Sequence, residues 1–345
     1  MKKLIFSIFI LITCVSAAQD SLFVLATKAL DEERWFDAEH LLIKGLKQGG
    51  DSLTYSYELA WTYYCNKEYI KAIKVLTPFY NKDSAPSEIY QLLGNAYDEY
   101  GNKYKATDIY KAGLNKYPKA GNLYLELGNI EFKDGNFKNA LYWYEKGIEA
   151  DPLFSSNYFR AAKVFLMSTE MVWGVLYGEI FMLLEPETER SKEMSKELLD
   201  AYFFCIKEDK GKAVVDFNNN IIVYSDSYER KNLLPKTFNE IMQQCCNRLS
   251  RLDLRTLIDI RRNFILKIYE QAPDFDNVLF AYEKDLISKG LFDAHCYHLF
   301  AYGEPKTTKQ WISSNSAQWE RYSKWIKSHP IPISTSNYFC RYNME

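Results

Sequence analysis

Residues that build catalytic and metal centres are scarce in this chain. Its 345 residues include four histidines, His40, His295, His298 and His329. There is no Gly-rich phosphate loop ending in Lys-Ser/Thr, no Gly-x-Ser-x-Gly elbow, no His-Glu-x-x-His and no Cys-x-x-Cys. Their absence removes the signalled forms of nucleotide, serine-hydrolase, zinc-protease and thiol-redox chemistry. His295 and His298 stand three apart on a predicted helix and could reach one metal. No carboxylate pattern nearby completes that site, and a helix packed through Cys296, Leu299 and Phe300 is the plainer reading. No cofactor is expected, and an enzyme or metal-binding centre within 189–345 is kept as a rival reading. Charge of one sign is missing too: 43 Lys and Arg meet 45 Asp and Glu, a formal −2. Bulk charge therefore predicts neither nucleic acid nor an anionic membrane as partner. The one basic cluster, Arg248, Arg251, Arg255, Arg261, Arg262 and Lys267, is offset by Asp253 and Asp259. It reads as a solvated face with intrahelical ion pairs, with a phosphate or acidic-peptide site as the sharper alternative.

Long hydrophobic runs are also lacking. The one apolar run, Leu4–Ile12, follows Lys2 and Lys3 and precedes Ser16-Ala17-Ala18. It is shorter than the ~20 residues that span a bilayer. A basic start, a short apolar core and small residues before a cut read as a Sec signal peptide, residues 1–18, cleaved before Gln19. The expectation is an exported chain, periplasmic in a bacterium, with an extracellular location as an alternative and no transmembrane segment after cleavage. Leu11-Ile12-Thr13-Cys14 resembles a bacterial lipoprotein box, although Thr13 replaces the small residue that box prefers. A lipid-anchored envelope assembly subunit, tethered through Cys14 and peripheral to the membrane, is the further alternative. Export permits disulfides, yet the spacing of Cys65, Cys205, Cys245, Cys246, Cys296 and Cys340 selects no pairing. A chain this long can bury a core without them.

What the sequence does have is a period. Leu93-Gly94, Ala106, Tyr110, Gly113 and Pro118 recur 34 places later as Leu127-Gly128, Ala140, Tyr144, Gly147 and Pro152. The register extends outward through Ala38, Ala72, Ala106, Ala140 and Gly174, and through Ala26, Ala60, Gly94, Gly128 and Ala162. Five units fit without insertion: 19–52, 53–86, 87–120, 121–154 and 155–188. In the third, Tyr90, Leu93, Gly94 and Tyr97 share one helical face, Gly101-Asn102 breaks it, and Ala106, Ile109, Tyr110 and Gly113 share a second. Small residues stand where two helices must approach closely. Neither helix can bury its stripe alone, so the units must stack. The unusual aromatic content, 27 Tyr, 21 Phe and 7 Trp, suits helices stacked on large rings.

These residues resemble the tetratricopeptide repeat family, which carries Leu-Gly or Leu-Ala at positions 7 and 8, Ala at 20 and Pro at 32. The resemblance covers 19–188 and implies an all-α fold, an α-solenoid of five helix–turn–helix units. Unit five departs most, with Gly174 and Gly178 in place of alanine and an aromatic. The resemblance further implies that positions 2, 5, 9 and 12 line a concave groove that takes a protein segment. Here they bring Tyr57, Trp61 and Tyr64, then Gln91, Asn95 and Asp98, then Leu125, Asn129 and Phe132, then Phe159 and Lys163. Asn95 and Asn129 would hold a ligand's backbone amides, or else solvate a polar groove. The family's chaperone-tail clamp is excluded: Asn95 and Arg160 fit it, but Gln91, Glu126 and Ser156 do not.

Beyond 188 the register fails and 189–345 reads as a helical C-terminal region. Helices are expected over 187–209, 234–249, 254–272, 275–288, 291–301 and 306–327, with an irregular tail from His329. Ala213–Phe217 and Ile221–Tyr224, flanking three asparagines, suggest a short β-hairpin. The whole reads as a non-enzymatic scaffold for protein–protein interaction, with Glu58, Glu88, Asp98, Glu99 and Glu126 favouring a basic or neutral segment. Mass spectrometry of the mature chain is expected to find Gln19 at its start; an acylated Cys14 would establish the lipid-anchored reading instead.

Overall fold

The 34-residue register is folded as pairs of helices joined by tight turns. The computed structural model describes residues 21–209, 212–218, 233–246 and 251–344. The signal-peptide reading, Cys14 and the strand expected at Ile221–Tyr224 lie outside them. Ten helices alternate through the repeats: α1 Ser21–Asp31, α2 Trp35–Lys47, α3 Ser52–Cys65, α4 Tyr69–Tyr80, α5 Ser87–Glu99, α6 Lys103–Lys116, α7 Gly121–Lys133, α8 Phe137–Ala150, α9 Ser155–Leu166 and α10 Met171–Leu184. The chain forms two compact units, Met1–Ile109 and Tyr110–Glu345. Within each, consecutive helices pack as neighbours, as a solenoid of helix pairs requires.

One turn geometry is repeated. Glu33, Lys67, Gly101 and Gly135 occupy the same place in units one to four and all have positive φ, of 57°, 61°, 92° and 78°. The N–H of each donates to a carbonyl three residues back. The next residue's N–H reaches five back: Arg34 to Ala29, Glu68 to Tyr63, Asn102 to Tyr97 and Asn136 to Glu131. This is the Schellman arrangement, which satisfies orphan carbonyls at a helix end and needs a left-handed residue. Glycine supplies it freely at 101 and 135, whereas Glu33 and Lys67 adopt it against their Cβ.

The small residues lie where helices touch. Ala26, Ala60, Ala162, Ala38, Ala72, Ala106 and Ala140 are all inaccessible to solvent. A Cβ at Gly128 would stand 2.3 Å from the Tyr144 ring, so glycine there sets the closeness of α7 and α8. Unit five departs in its turn. Glu170 forms an isolated bridge with Asn218, and the Val172 N–H donates to the Phe217 carbonyl. A later segment thus supplies an acceptor to the first turn of α10. Helix α10 is buried along its length from Val172 to Met182, which explains why its sequence has no polar stripe.

After α10 come α11 Glu189–Cys205, strands β1 Ile206–Asp209 and β2 Lys212–Val215, and then α12 Leu233–Cys246, α13 Leu254–Gln271 and α14 Val278–Ser288. Helices α15 Phe292–Leu299, α16 Pro305–Ser314, α17 Ser316–Ser328 and a final turn α18 Arg341–Met344 complete the second unit. The hairpin is real but sits earlier than expected. Lys212–Val215 pairs with the upstream segment Ile206–Asp209, in register from Ile206 opposite Val215. The helix expected to run to 209 therefore stops at Cys205. Helices hold the hairpin in place. Gln243 of α12 bonds the Val215 N–H and the Ala213 carbonyl, Asn239 accepts from the Phe217 N–H, and Phe217 packs edge-on against Tyr202 and Phe238. The single helix expected over 306–327 is broken at Asn315.

The tail is irregular, as expected, but it is docked. Ile331, Ile333, Phe339 and Cys340 are buried, and Phe339 packs against Trp173 and Tyr177 of α10. Arg341 holds Glu145 of α8 through Nε and Nη2 at 2.9 and 2.8 Å, while Tyr177 donates to the same carboxylate at 2.8 Å. Glu145 is fully buried, so these bonds replace its water.

Replacing Lys67 with Gly, which removes left-handed strain at an exposed turn, is expected to stabilise the protein by about 1 kcal/mol. Gly101→Ala should cost about as much. Thermal melts of both variants check the pair; equal shifts of one sign would refute the reading of the turn.

Candidate protein-binding surface

In the first unit the exposed side of α3 is aromatic and acidic. Tyr57, Trp61 and Tyr64 follow one another at spacings of four and three, so they form one stripe. All three are half-buried, and the Trp61 and Tyr64 rings stack at 5.7 Å and 22°. Tyr64 also meets Tyr69 of α4 at 5.7 Å. Glu58 and Cys65 run beside this stripe. Burial, with the charge of Asp31 adding to it, pushes the Glu58 carboxyl up to about 7. Burial and the carboxylates Glu58 and Glu33 push the Cys65 thiol up to about 11. Tyr57 is raised above its ordinary value by burial first and then by Glu58 and Glu88. Neither the Glu58 carboxyl nor the Tyr57 hydroxyl has a hydrogen-bond partner among the described residues. On α5, Gln91, Asn95 and Asp98 are half-buried, each with a polar or electrostatic partner of its own. Helices α3 and α5 are in contact, so these residues belong to neighbouring helices of one unit.

In the second unit the corresponding positions are more occupied. Asn129 donates to Glu126 at 2.9 Å and accepts from the Tyr144 hydroxyl at 3.1 Å. Phe132 meets Phe137 at 5.4 Å, and Leu125 packs against the core. Phe159 is buried, with Phe181 at 5.0 Å and the Arg190 guanidinium 5.2 Å from its ring. Lys163 is paired with Glu193 and Glu197 of α11. Arg160 stays exposed. Asn129 and Phe132 are engaged within α7 and α8, while Lys163 is taken up by α11, which packs on α9.

His295 and His298 do not converge on a shared metal position. Their Nδ1 atoms lie 3.4 and 2.9 Å from one hydroxyl, that of Tyr322, and no group of three His, Cys, Asp or Glu suited to a metal occurs among the described residues. Burial lowers both imidazoles, His295 well below 6.5, where the Arg261 charge adds to burial. The titratable groups of this region meet around Arg261, which the sequence placed on a solvated face. The structure buries it instead. Its Nη2 reaches Glu179 of α10 at 2.6 Å and Glu283 of α14 at 2.5 Å, and Tyr202 of α11 donates to Glu179 at 2.8 Å. One cation faces two carboxyls. Burial, with Glu179 adding and Arg261 opposing, raises Glu283 to about 8. Arg262 does behave as expected, pairing with Asp259 and Asp293 at the surface. All six cysteines beyond residue 20 are free.

One surface feature escaped the sequence reading. Phe36, Ile70 and Tyr104 are exposed by 80, 49 and 78%, and all fall at position 18 of their units. The same count that located the alanines would have found them.

No known protein family matches the chain, and no curated protein does either. Among solved structures it is similar to a crystal structure of MamA protein, at 22% identity over 48% of this chain and 90% of that one, with a TM-score of 0.37. Likeness that slight leaves the repeat architecture resting on the helices themselves.

Because the raised value of Glu283 favours its protonated form in the fold, stability from this group is full below its ordinary 4.5 and is lost as pH rises through about 8. The buried histidines act oppositely, but only below 6.5. Wild-type protein should therefore lose thermal stability from neutral pH to above 8, and Glu283→Gln should flatten that fall. An unchanged slope in the variant would show that the carboxyl carries no proton there.

Proposed function

We propose that this chain is a non-enzymatic scaffold of tetratricopeptide type, exported to a bacterial periplasm, that captures a protein segment on the α3 and α5 face of its first unit. The observation that carries this reading is the α3 stripe. Large rings that only half bury themselves hold apolar area available to a partner, and a repeat surface presents such rings at helical spacing without further machinery. The neighbouring Gln91, Asn95 and Asp98 supply the polar contacts that an extended backbone needs.

The corresponding second-unit positions support a lesser role, since α11 engages Lys163 and the core takes Phe159. A catalytic or metal-binding reading of 189–345 draws no support from Arg261, Glu283 and Arg341, which are paired in buried clusters. An envelope association, through Cys14 or otherwise, remains compatible with capture because it concerns where the scaffold sits.

A photo-crosslinking residue at Trp61 or Tyr64 is expected to trap a discrete partner in intact cells, and the same residue at Phe36 or Tyr104 is not. Crosslinks from 36 and 104 alone would move the binding surface to the position-18 row and overturn the assignment.

A further inference from the structure

We propose that the α3 face is selective for a cationic side chain, a lysine or arginine of the captured segment, seated on the Trp61 and Tyr64 rings and paired with the Glu58 carboxylate. This rests on the reading of that face as a capture surface and adds the chemistry of what is captured. Trp61 and Tyr64 stack nearly parallel, and Trp61 lies one turn from Glu58 on the same helix. An indole face is the strongest aromatic partner for a cation. A carboxylate one turn away adds the charge-assisted hydrogen bond that fixes its position.

Charge around the face is mostly negative. The first helices of the unit, α1, α3 and α5, carry Asp31, Glu58, Glu88, Asp98 and Glu99 against a single Lys28. Asp31, Glu33 and Glu88 reach Glu58, Cys65 and Tyr57 electrostatically, and no Lys or Arg does. Lys44 and Lys47 stand on α2 together with Asp37 and Glu39, and Lys71 on α4 is paired with Glu68. Glu58 is thus a largely desolvated carboxyl beside Asp31 and lacks a hydrogen-bond or ion-pair partner among the described residues. Burial and Asp31 hold its proton on to about 7. An arriving ammonium or guanidinium would remove both penalties, while an arriving carboxylate would add a third.

The test uses the full mature chain and three fluorescein-labelled peptides of one length, alternating Gly with Lys, with Gln or with Glu. Fluorescence anisotropy is expected to show the Lys peptide binding at least about tenfold tighter than the Gln peptide, and the Glu peptide not binding. Glu58→Gln, which keeps shape and removes a buried charge, should weaken the Lys peptide about tenfold and leave the Gln peptide unchanged. Asp83→Asn, at an exposed carboxylate in the α4–α5 turn, should alter neither by as much as twofold. Equal losses from Glu58→Gln and Asp83→Asn would reduce the preference to diffuse attraction and overturn the site. If Lys and Gln peptides bind equally and Trp61→Ala abolishes both, capture on this face stands and cation selectivity falls. If no peptide binds and position 61 yields no crosslink in cells, both readings fall together.

Discussion

Arg261 is the residue around which the second unit closes. Its guanidinium is buried between Glu179 and Glu283, with the Tyr202 ring 5.4 Å and the Phe300 ring 5.3 Å away. Those partners come from helices α10, α11 and α14 and from the turn after α15. Taking a guanidinium and two carboxyl groups out of water costs several kcal/mol for each that stays charged unless hydrogen bonds replace the water. The geometry must therefore be met by all these elements together or by none. The repeat period ends at α10 for a related reason. A repeat helix shows one face to its neighbours and another to solvent, whereas α10 is enclosed on every side, and Glu179 is its one carboxyl-bearing residue, in contact with the later helices. Gly174 and Gly178 follow from the same enclosure, since a Cβ at either would meet Leu166, or Leu198 and Met194, below 3 Å.

Glu145 and Arg341 repeat the principle at the other edge. A buried carboxylate on α8 waits for a cation 196 residues away, and Tyr177 fills the remaining acceptor capacity. The tail then behaves as an element of the core, with Phe339 between Trp173 and Tyr177 and Arg341 over the Phe165 ring. Both pairs join α8 or α10 to segments far along the chain, so the later helices and the tail fold against the repeats.

That distance also decides what could be read beforehand. Ala26, Gly94, Gly128 and their equivalents are legible because helix pairing acts within 34 residues and leaves a mark at every period. The turns are half legible: Gly101 and Gly135 announce a left-handed residue, while Glu33 and Lys67 do the same work in silence. Ile206-Lys207-Glu208-Asp209 continues a helical composition, and its conversion to a strand depends on Lys212–Val215 arriving beside it. Arg261 looked solvated because its neighbours in sequence are charged, and its real neighbours, Glu179 and Glu283, lie 82 and 22 residues away. The candidate surface divides similarly. Periodicity put Tyr57, Trp61, Phe159 and Lys163 on equivalent faces, but no period reports that α11 covers the last two.

The covering of one unit and the openness of the other bear on function through charge. In the second unit α11 matches the charge of Lys163 on α9 with Glu193 and Glu197, and that of Glu185 at the end of α10 with Arg190. Among the described residues the Glu58 carboxyl on α3 meets no such partner, although the first unit pairs charges elsewhere, Arg34 with Asp37 and Lys71 with Glu68. A protein free to place its charges gains by mixing the two signs, because like charges on adjacent helices repel. A largely desolvated carboxyl beside Asp31 with no cation of its own carries a stability cost. Such a cost is intelligible where an external cation completes the pairing that α11 provides internally elsewhere in the same chain.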